Sequence, residues 1–326
     1  MYSLTDYLWM ISDRARVSAY AEAIAAQVRP GHRVLEVGAG FGFFSVLAAR
    51  AGAAHVDAVD TNPVIHLGPK VAAANGCGDR ITFHHIDVRQ LQLDVPADVL
   101  IIDIRGPTPF GPRAVEIHVD TRERLLTRGG AIIAARDTVY MAPTRIPQIA
   151  RREVYAPLEQ PSVALDVVER VVLDTPMRYT IASDDLVAEG VACGTVDYST
   201  VVEARFTGKA EWTLAGDGTI GGLAVWFDAD LGGGIRFSTR PGGPVTAYRQ
   251  LFVPFRSPVA VRCGDRFRVE LGVIELGDSN VWHWRATLTS KDSAQEREVA
   301  NQNSVAEIVI DPARLEASFN SRGVVG

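Results

Sequence analysis

Glu36, Gly38, Gly40, Gly42 and Asp60 are the residues of this chain whose types and spacing most plainly suit chemistry. In Val34-Leu-Glu-Val-Gly-Ala-Gly-Phe-Gly42 an apolar run gives way to three alternating glycines, then to an apolar helical face through Phe44, Val46, Leu47 and Ala48. A glycine turn between strand and helix lets backbone approach a ligand and aims unpaired helix N–H groups at it. A dinucleotide calls for Gly-x-Gly-x-x-Gly, so that the helix N-terminus holds a pyrophosphate. Here the third glycine comes one residue early and Glu36 lies just upstream. That acid repels phosphate and suits the cationic end of an amino acid. Asp60 ends the next apolar run, His55-Val-Asp-Ala-Val-Asp60, and is placed to accept hydrogen bonds from two ribose hydroxyls. A nucleoside with an amino-acid tail and no phosphate meets all three conditions, and S-adenosylmethionine is such a ligand. A ligand-free glycine turn leaves Glu36 and Asp60 unexplained, and NAD fits the spacing less well.

These residues need a scaffold that brings them together. Residues 1–30 read as helical, with Met10, Arg14, Val17, Tyr20, Ala21 and Ile24 at three-to-four spacing before Pro30-Gly31. From 33 to 135 strands (34–37, 55–59, 81–85, 99–103, 131–135) alternate with helical stretches near 43–51, 63–75 and 113–127. That alternation predicts a parallel sheet covered on both faces, which binds ligands at the carboxyl ends of its strands. Glu36, Asp60, Asp87 and Asp103 all fall at or just past such ends. Prolines punctuate 143–176, and beyond 190 short strands with glycine turns predict an antiparallel sandwich or barrel: 201–207, 210–214, 223–228, 250–254, 266–271 and 282–288, with a further strand at 307–310. The fold class is therefore a Rossmann-like α/β domain, 1–142, followed by an all-β domain, 143–326.

Composition narrows the function. A net charge of −6 lacks the basic face of a broad nucleic-acid surface. No stretch reaches the ~20 apolar residues of a membrane span, and the N-terminus has no signal-peptide pattern. Cys77, Cys193 and Cys263 are odd in number and scattered, which suits neither a disulfide framework nor a zinc site and points to a reducing cytoplasm. His84-His85 has no second ligand cluster, so no metal is expected.

Further motifs give the chain a family resemblance. Met10-Ile-Ser-Asp13-Arg14-Ala-Arg16 followed by Tyr20, the loop from Glu36 to Gly42, the segment from Ala49 to Asp60, and Phe237-Ser-Thr-Arg-Pro-Gly-Gly-Pro-Val-Thr246-Ala-Tyr248 resemble the protein arginine methyltransferases over nearly the whole length. The resemblance implies that Arg16 grips the cofactor carboxylate and that Asp60 holds the ribose; Asp87 reads either as an acceptor for the adenine amino group or as a turn residue before Leu91. The resemblance also implies that the second domain is a β-barrel, and that an arm near 155–178 makes a head-to-tail homodimer. Met10 and Tyr248 fall on the acceptor side. Tyr248 reads either as a wall of the acceptor pocket or as a strand-end aromatic packing on Phe252.

The departures from that family bear on the acceptor. Arginine methylation in the family uses two glutamates on the loop after the fourth strand, because a planar cation needs a bidentate, charge-assisted pairing. Here Asp103 stands at the first position and Pro112 at the second, and Arg105 adds a positive charge. Asp103 is the first candidate for a base, followed by Glu116 and His118. Glu116 is the candidate replacement for the missing glutamate. Arg105 reads as a contact for a substrate carboxylate or phosphate, or as an ion pair with Asp103 or Glu116. The expectation is a methyltransferase acting on oxygen or nitrogen of a small molecule or peptide. The alternatives are an arginine N-methyltransferase with a shifted second acid, and a non-catalytic scaffold that keeps the fold.

Overall fold

In a computed structural model, which describes residues 2–158, 162–276, 279–293 and 295–306, five short apolar strands pair in parallel. They are β1 (Arg33–Val37), β2 (His55–Asp60), β3 (Ile81–His85), β4 (Ala97–Ile102) and β5 (Leu126–Ile133), in the order β3-β2-β1-β4-β5. Val34, Leu35, Val99, Leu100, Ile101 and Ile102 are fully or almost fully buried. Strands covered on both faces read as unbroken hydrophobic runs, as these do. The strand order reverses beside β1, and the space above the ends of β1 and β4 is where such sheets hold ligands.

The helical half differs from expectation at its start. The stretch expected as one helical region holds two helices, α1 (Leu4–Ser12) and α2 (Arg14–Gln27). The break is at Asp13, whose carboxylate accepts from the backbone N–H of Arg16 at 3.0 Å and caps α2. An aspartate that satisfies a helix N-terminus stabilises a new start more than a continued helix, typically by ~1 kcal/mol. Helices α3 (Phe43–Arg50), α4 (Gly68–Ala74) and α5 (Ala114–Leu125) cover the sheet.

The change of sheet falls between 133 and 136 rather than at 142. Strand β6 (Arg136–Thr144) already pairs antiparallel with its neighbours in the second unit, so the boundary expected from the proline-rich texture comes too late. The remaining strands are β7 (Met177–Tyr179), β8 (Val191–Asp197), β9 (Arg205–Thr213), β10 (Gly218–Asp230), β11 (Arg236–Ser238), β12 (Gln250–Val261), β13 (Arg266–Leu276), β14 (Ser279–Thr289) and β15 (Glu296–Asn303). They form one sheet ordered β7-β12-β10-β6-β8, with β11 on β10, and a second ordered β15-β14-β13-β9. The expected strands 201–207 and 210–214 are one strand, β9. Gly208 stays inside it because a side chain there would lie 2.9 Å from Cys193 Sγ on β8. The strand expected at 307–310 lies outside the described residues. Trp282 and Trp284 sit on one face of β14 in the core with Leu223, Val253 and Phe267.

Candidate active site

A crevice of about 470 Å3 opens at the carboxyl ends of β1, β2 and β4, within the usual ligand-pocket range. Arg16, Glu36, Gly38, Asp60 and Asp87 line one part of it. Met10, Asp103, Arg105 and Tyr248 line the rest. The sheet thus gathers side chains from four strand ends, and α1, α2 and the loop before β12 close over them.

The glycine loop is built as its composition requires. Gly38, Gly40 and Gly42 have φ of 74°, 55° and 83°, the left-handed region that other residues rarely adopt. Space demands glycine as well. A Cβ on Gly40 would lie 2.6 Å from the Tyr7 ring, and one on Gly42 would lie 2.6 Å from Phe83. The Gly40 N–H donates to Asp60 Oδ2 at 2.7 Å, and the Asn62 N–H donates to Oδ1 at 2.7 Å. A carboxylate offers about four lone-pair sites, so one remains for a further donor once the Tyr7 hydroxyl also donates. Tyr7 on α1 also hydrogen-bonds Asp60, and burial followed by the Asp60 charge raises its hydroxyl above the ordinary tyrosine value. Tyr7 was not a sequence candidate; no spacing ties it to a loop more than thirty residues away.

Glu36 differs from expectation in charge. Its carboxyl is buried, accepts a very short hydrogen bond from the Ser45 hydroxyl, and is pushed up to about 8 by burial. It is therefore mostly protonated at neutral pH, and a cation beside it favours the ionised form. Asp87 lies lower than the ordinary carboxylate, chiefly through the Arg89 guanidinium that hydrogen-bonds it, and it caps the short turn after it.

Two arginines and a tyrosine converge on Asp103. Arg16 Nε donates to Oδ2 at 2.7 Å, Arg105 Nε donates to Oδ1 at 3.2 Å, and the Tyr248 hydroxyl donates at 2.6 Å to Oδ2. Burial alone would raise Asp103, but the two guanidiniums and the hydroxyl outweigh it and hold the carboxyl at about 2. Arg16 also donates from Nη1 to the Met10 carbonyl at 3.2 Å, while its Nη2 has no protein partner among the described residues. Its guanidinium lies 5.1 Å from the Phe44 ring. Tyr248 stacks on Phe237 and meets Phe227 edge-on. It is thus a crevice wall and does not pack on Phe252.

Arg105 lines the crevice, but its guanidinium is taken up by the protein. Its side chain is fully buried, and Nη1 reaches Asp137 on β6 at 2.6 Å while Nη2 reaches the Tyr20 hydroxyl at 2.7 Å. Asp137 accepts from the Tyr198 hydroxyl at 2.7 Å. Burial pushes Asp137 above the usual carboxylate range, and Arg105 and Tyr198 pull it back only in part. Removing one member of such a buried pair strands the other and costs about 3–5 kcal/mol. Asp137 escaped the sequence reading, although a lone acid within an apolar strand must find a buried partner.

Two catalytic candidates are corrected by position. His118 lies in the core of α5, stacked on Tyr198 at 4.2 Å, with Nδ1 donating to the Ala114 carbonyl at 2.8 Å. Burial lowers it to about 4, and it is not among the residues lining the crevice. Glu116 is half-exposed outside the crevice and pairs with Arg89 at 3.1 Å and Arg113 at 3.4 Å. Helical geometry turns both away from Asp103. Pro112 is exposed, so no second acid faces Asp103 from that position. Asp13, also missed, accepts from the Ala247 N–H at 2.6 Å and ties α2 to the loop bearing Tyr248. Among the described residues no group of three or more His, Cys, Asp or Glu is placed to hold a metal.

The chain is similar to known methyltransferases in sequence and in fold. Residues 10–121 match the TRM5/TYW2 methyltransferase domain family. The chain is 27% identical over 237 residues to a probable protein arginine N-methyltransferase 6 of Arabidopsis thaliana, covering 69% of this chain and 54% of that relative. It is 27% identical over 270 residues to an arginine N(omega)-methyltransferase of Streptomyces achromogenes subsp. streptozoticus, covering 81% of this chain and 74% of that one. The chain thus spans about half the length of the Arabidopsis relative. In fold it matches Arabidopsis thaliana protein arginine methyltransferase 10 with a TM-score of 0.81, at 18% identity over 93% of this chain and 98% of that one. It also matches the Trypanosoma brucei PRMT1 enzyme–prozyme complex with AdoHcy, with a TM-score of 0.80, at 22% identity over 91% of this chain and 96% of that one. From the glycine loop to the paired sheets, this chain resembles the protein arginine methyltransferases, in sequence at 27% identity and in fold.

Proposed function

We propose that the chain is an S-adenosylmethionine-dependent methyltransferase whose acceptor is oxygen or nitrogen of a small molecule or peptide. The crevice fits the donor by the chemistry of its walls. Asp60 has a lone pair free for a ribose hydroxyl, Arg16 has an unpartnered Nη2 for a carboxylate, and Asp87 lines the crevice as the acceptor for the adenine amino group. Glu36 would lose its proton to receive the ammonium end, and Gly38 lines the crevice with backbone alone. When bound, S-adenosylmethionine supplies a methyl group on a positively charged sulfur, which an acceptor displaces in line.

The residues of the chain then have to orient the acceptor and exclude water. Asp103 at about 2 is too weak a base to remove a proton while both guanidiniums hold it. Tyr248 keeps its proton and fixes the carboxylate plane. The observation that carries the acceptor reading is the saturation of Asp103, with no second acid facing it. The names of the Arabidopsis and Streptomyces relatives favour arginine as a second reading, which requires Glu116 to leave Arg89 and Arg113.

Incubation with methyl-labelled donor tests the acceptor. Label is expected in arginine-free peptides or small hydroxyl or amine compounds, and absent from free arginine and arginine-rich peptide. Transfer to arginine that disappears in Glu116→Gln would contradict the proposal. Assembly is part of the same reading. The helix Asp166–Leu173 in the arm carries Val167 and Val168, exposed at 78% and 48%, and serves as a homodimer contact.

A further inference from the structure

The surroundings of the Arg105 guanidinium have the composition of a cation receptor. Asp103 and Asp137 supply carboxylates, and Tyr20 and Tyr248 supply hydroxyls. Together these accept four hydrogen bonds from Arg105. Phe227 and Phe237 lie 5.0 and 5.7 Å from its central carbon, within cation–π range. A guanidinium has five N–H donors in a rigid fork, and this box meets most of them without water. The box shares Asp103 and Tyr248 with the wall of the crevice. The chain's own side chain therefore takes up the groups that a guanidinium acceptor would need. Arg16 on the other side of Asp103 adds a second positive charge, so a third cation there meets repulsion from both.

We propose that Arg105 is a built-in guanidinium that fixes specificity: it fills the cation box beside the crevice and bars arginine-like acceptors, leaving the site to uncharged oxygen or nitrogen nucleophiles. Specificity of this kind comes from a repulsive element as much as from new attraction. The selection of acceptors rests on the methyltransferase reading; the box itself does not.

Chemical rescue tests it. Arg105→Ala leaves two carboxylates and two hydroxyls around a cavity the shape of the lost side chain. Its melting temperature should fall, and n-propylguanidinium should raise it by about 2 °C at ten times the dissociation constant. n-Propylammonium, a point charge without the fork, should give no comparable rise. The wild-type protein, with or without S-adenosylhomocysteine, should show neither a thermal shift nor heat of binding with n-propylguanidinium. If Arg105→Ala does not fold alone, refolding it in millimolar n-propylguanidinium should recover folded protein. An Arg105→Ala protein indifferent to n-propylguanidinium, or a wild-type protein that binds it as well as the variant does, overturns the proposal. The rescue uses no cofactor, so failure of S-adenosylhomocysteine to bind would strike the methyltransferase reading and leave this result standing.

Discussion

Glu36 carries a proton that its position in the motif does not reveal. Burial lifts its carboxyl to about 8 from an ordinary 4.5. A carboxyl raised in the folded state contributes stability that is complete below the unfolded value and is lost as pH rises through the folded one. The window therefore runs from about pH 4.5 to about 8, with an effect of the order of a few kcal/mol. Melting temperatures of the wild type should decline across that window, and Glu36→Gln, which keeps the Ser45 contact without the titration, should flatten the decline. An unchanged slope in the variant would assign the effect elsewhere. Residue types and spacing revealed the crevice positions of Glu36, Asp60 and Asp103, since acids at strand ends converge wherever strands run parallel. Spacing carries no record of burial, so the charge of Glu36, the enclosure of His118 and the pairing of Arg105 with Asp137 emerged only with the tertiary structure.

Elements were legible where one period dominated. The five parallel strands and the helices after them follow from unbroken apolar runs separated by turn residues. Asp13 was harder, because a cap three residues before Arg16 competes with a helical pattern that runs through it. Strand β6 was hidden by its position: it follows β5 after only two residues, Ala134 and Ala135, yet belongs to the other sheet. The arm helix Asp166–Leu173 belongs to this scale too. Paired Val167→Asp and Val168→Asp substitutions place charge on its exposed apolar face. Light scattering should find the wild type at twice the chain mass and the double variant at one chain mass. A double variant that stays dimeric, or a wild type that is monomeric at the same concentration, would contradict the assignment.

At the scale of the molecule, the crevice lies where the two units meet. Tyr20 and Phe44 from the first unit share an apolar cluster with Phe227, Phe237 and Tyr248 from the second. The Arg105–Asp137 pair and the Asp13–Ala247 bond cross the same boundary, so the barrel holds the acceptor side of the site in register with the sheet. The central claim is that this crevice takes a phosphate-free adenosyl amino acid with its sugar on Asp60. Calorimetric titration with S-adenosylhomocysteine tests it most directly. The wild type should bind with a Kd below about 100 micromolar, and Asp60→Ala should lose at least about tenfold, roughly 1.4 kcal/mol. Absence of heat with the wild type, or equal affinity in Asp60→Ala, would contradict it.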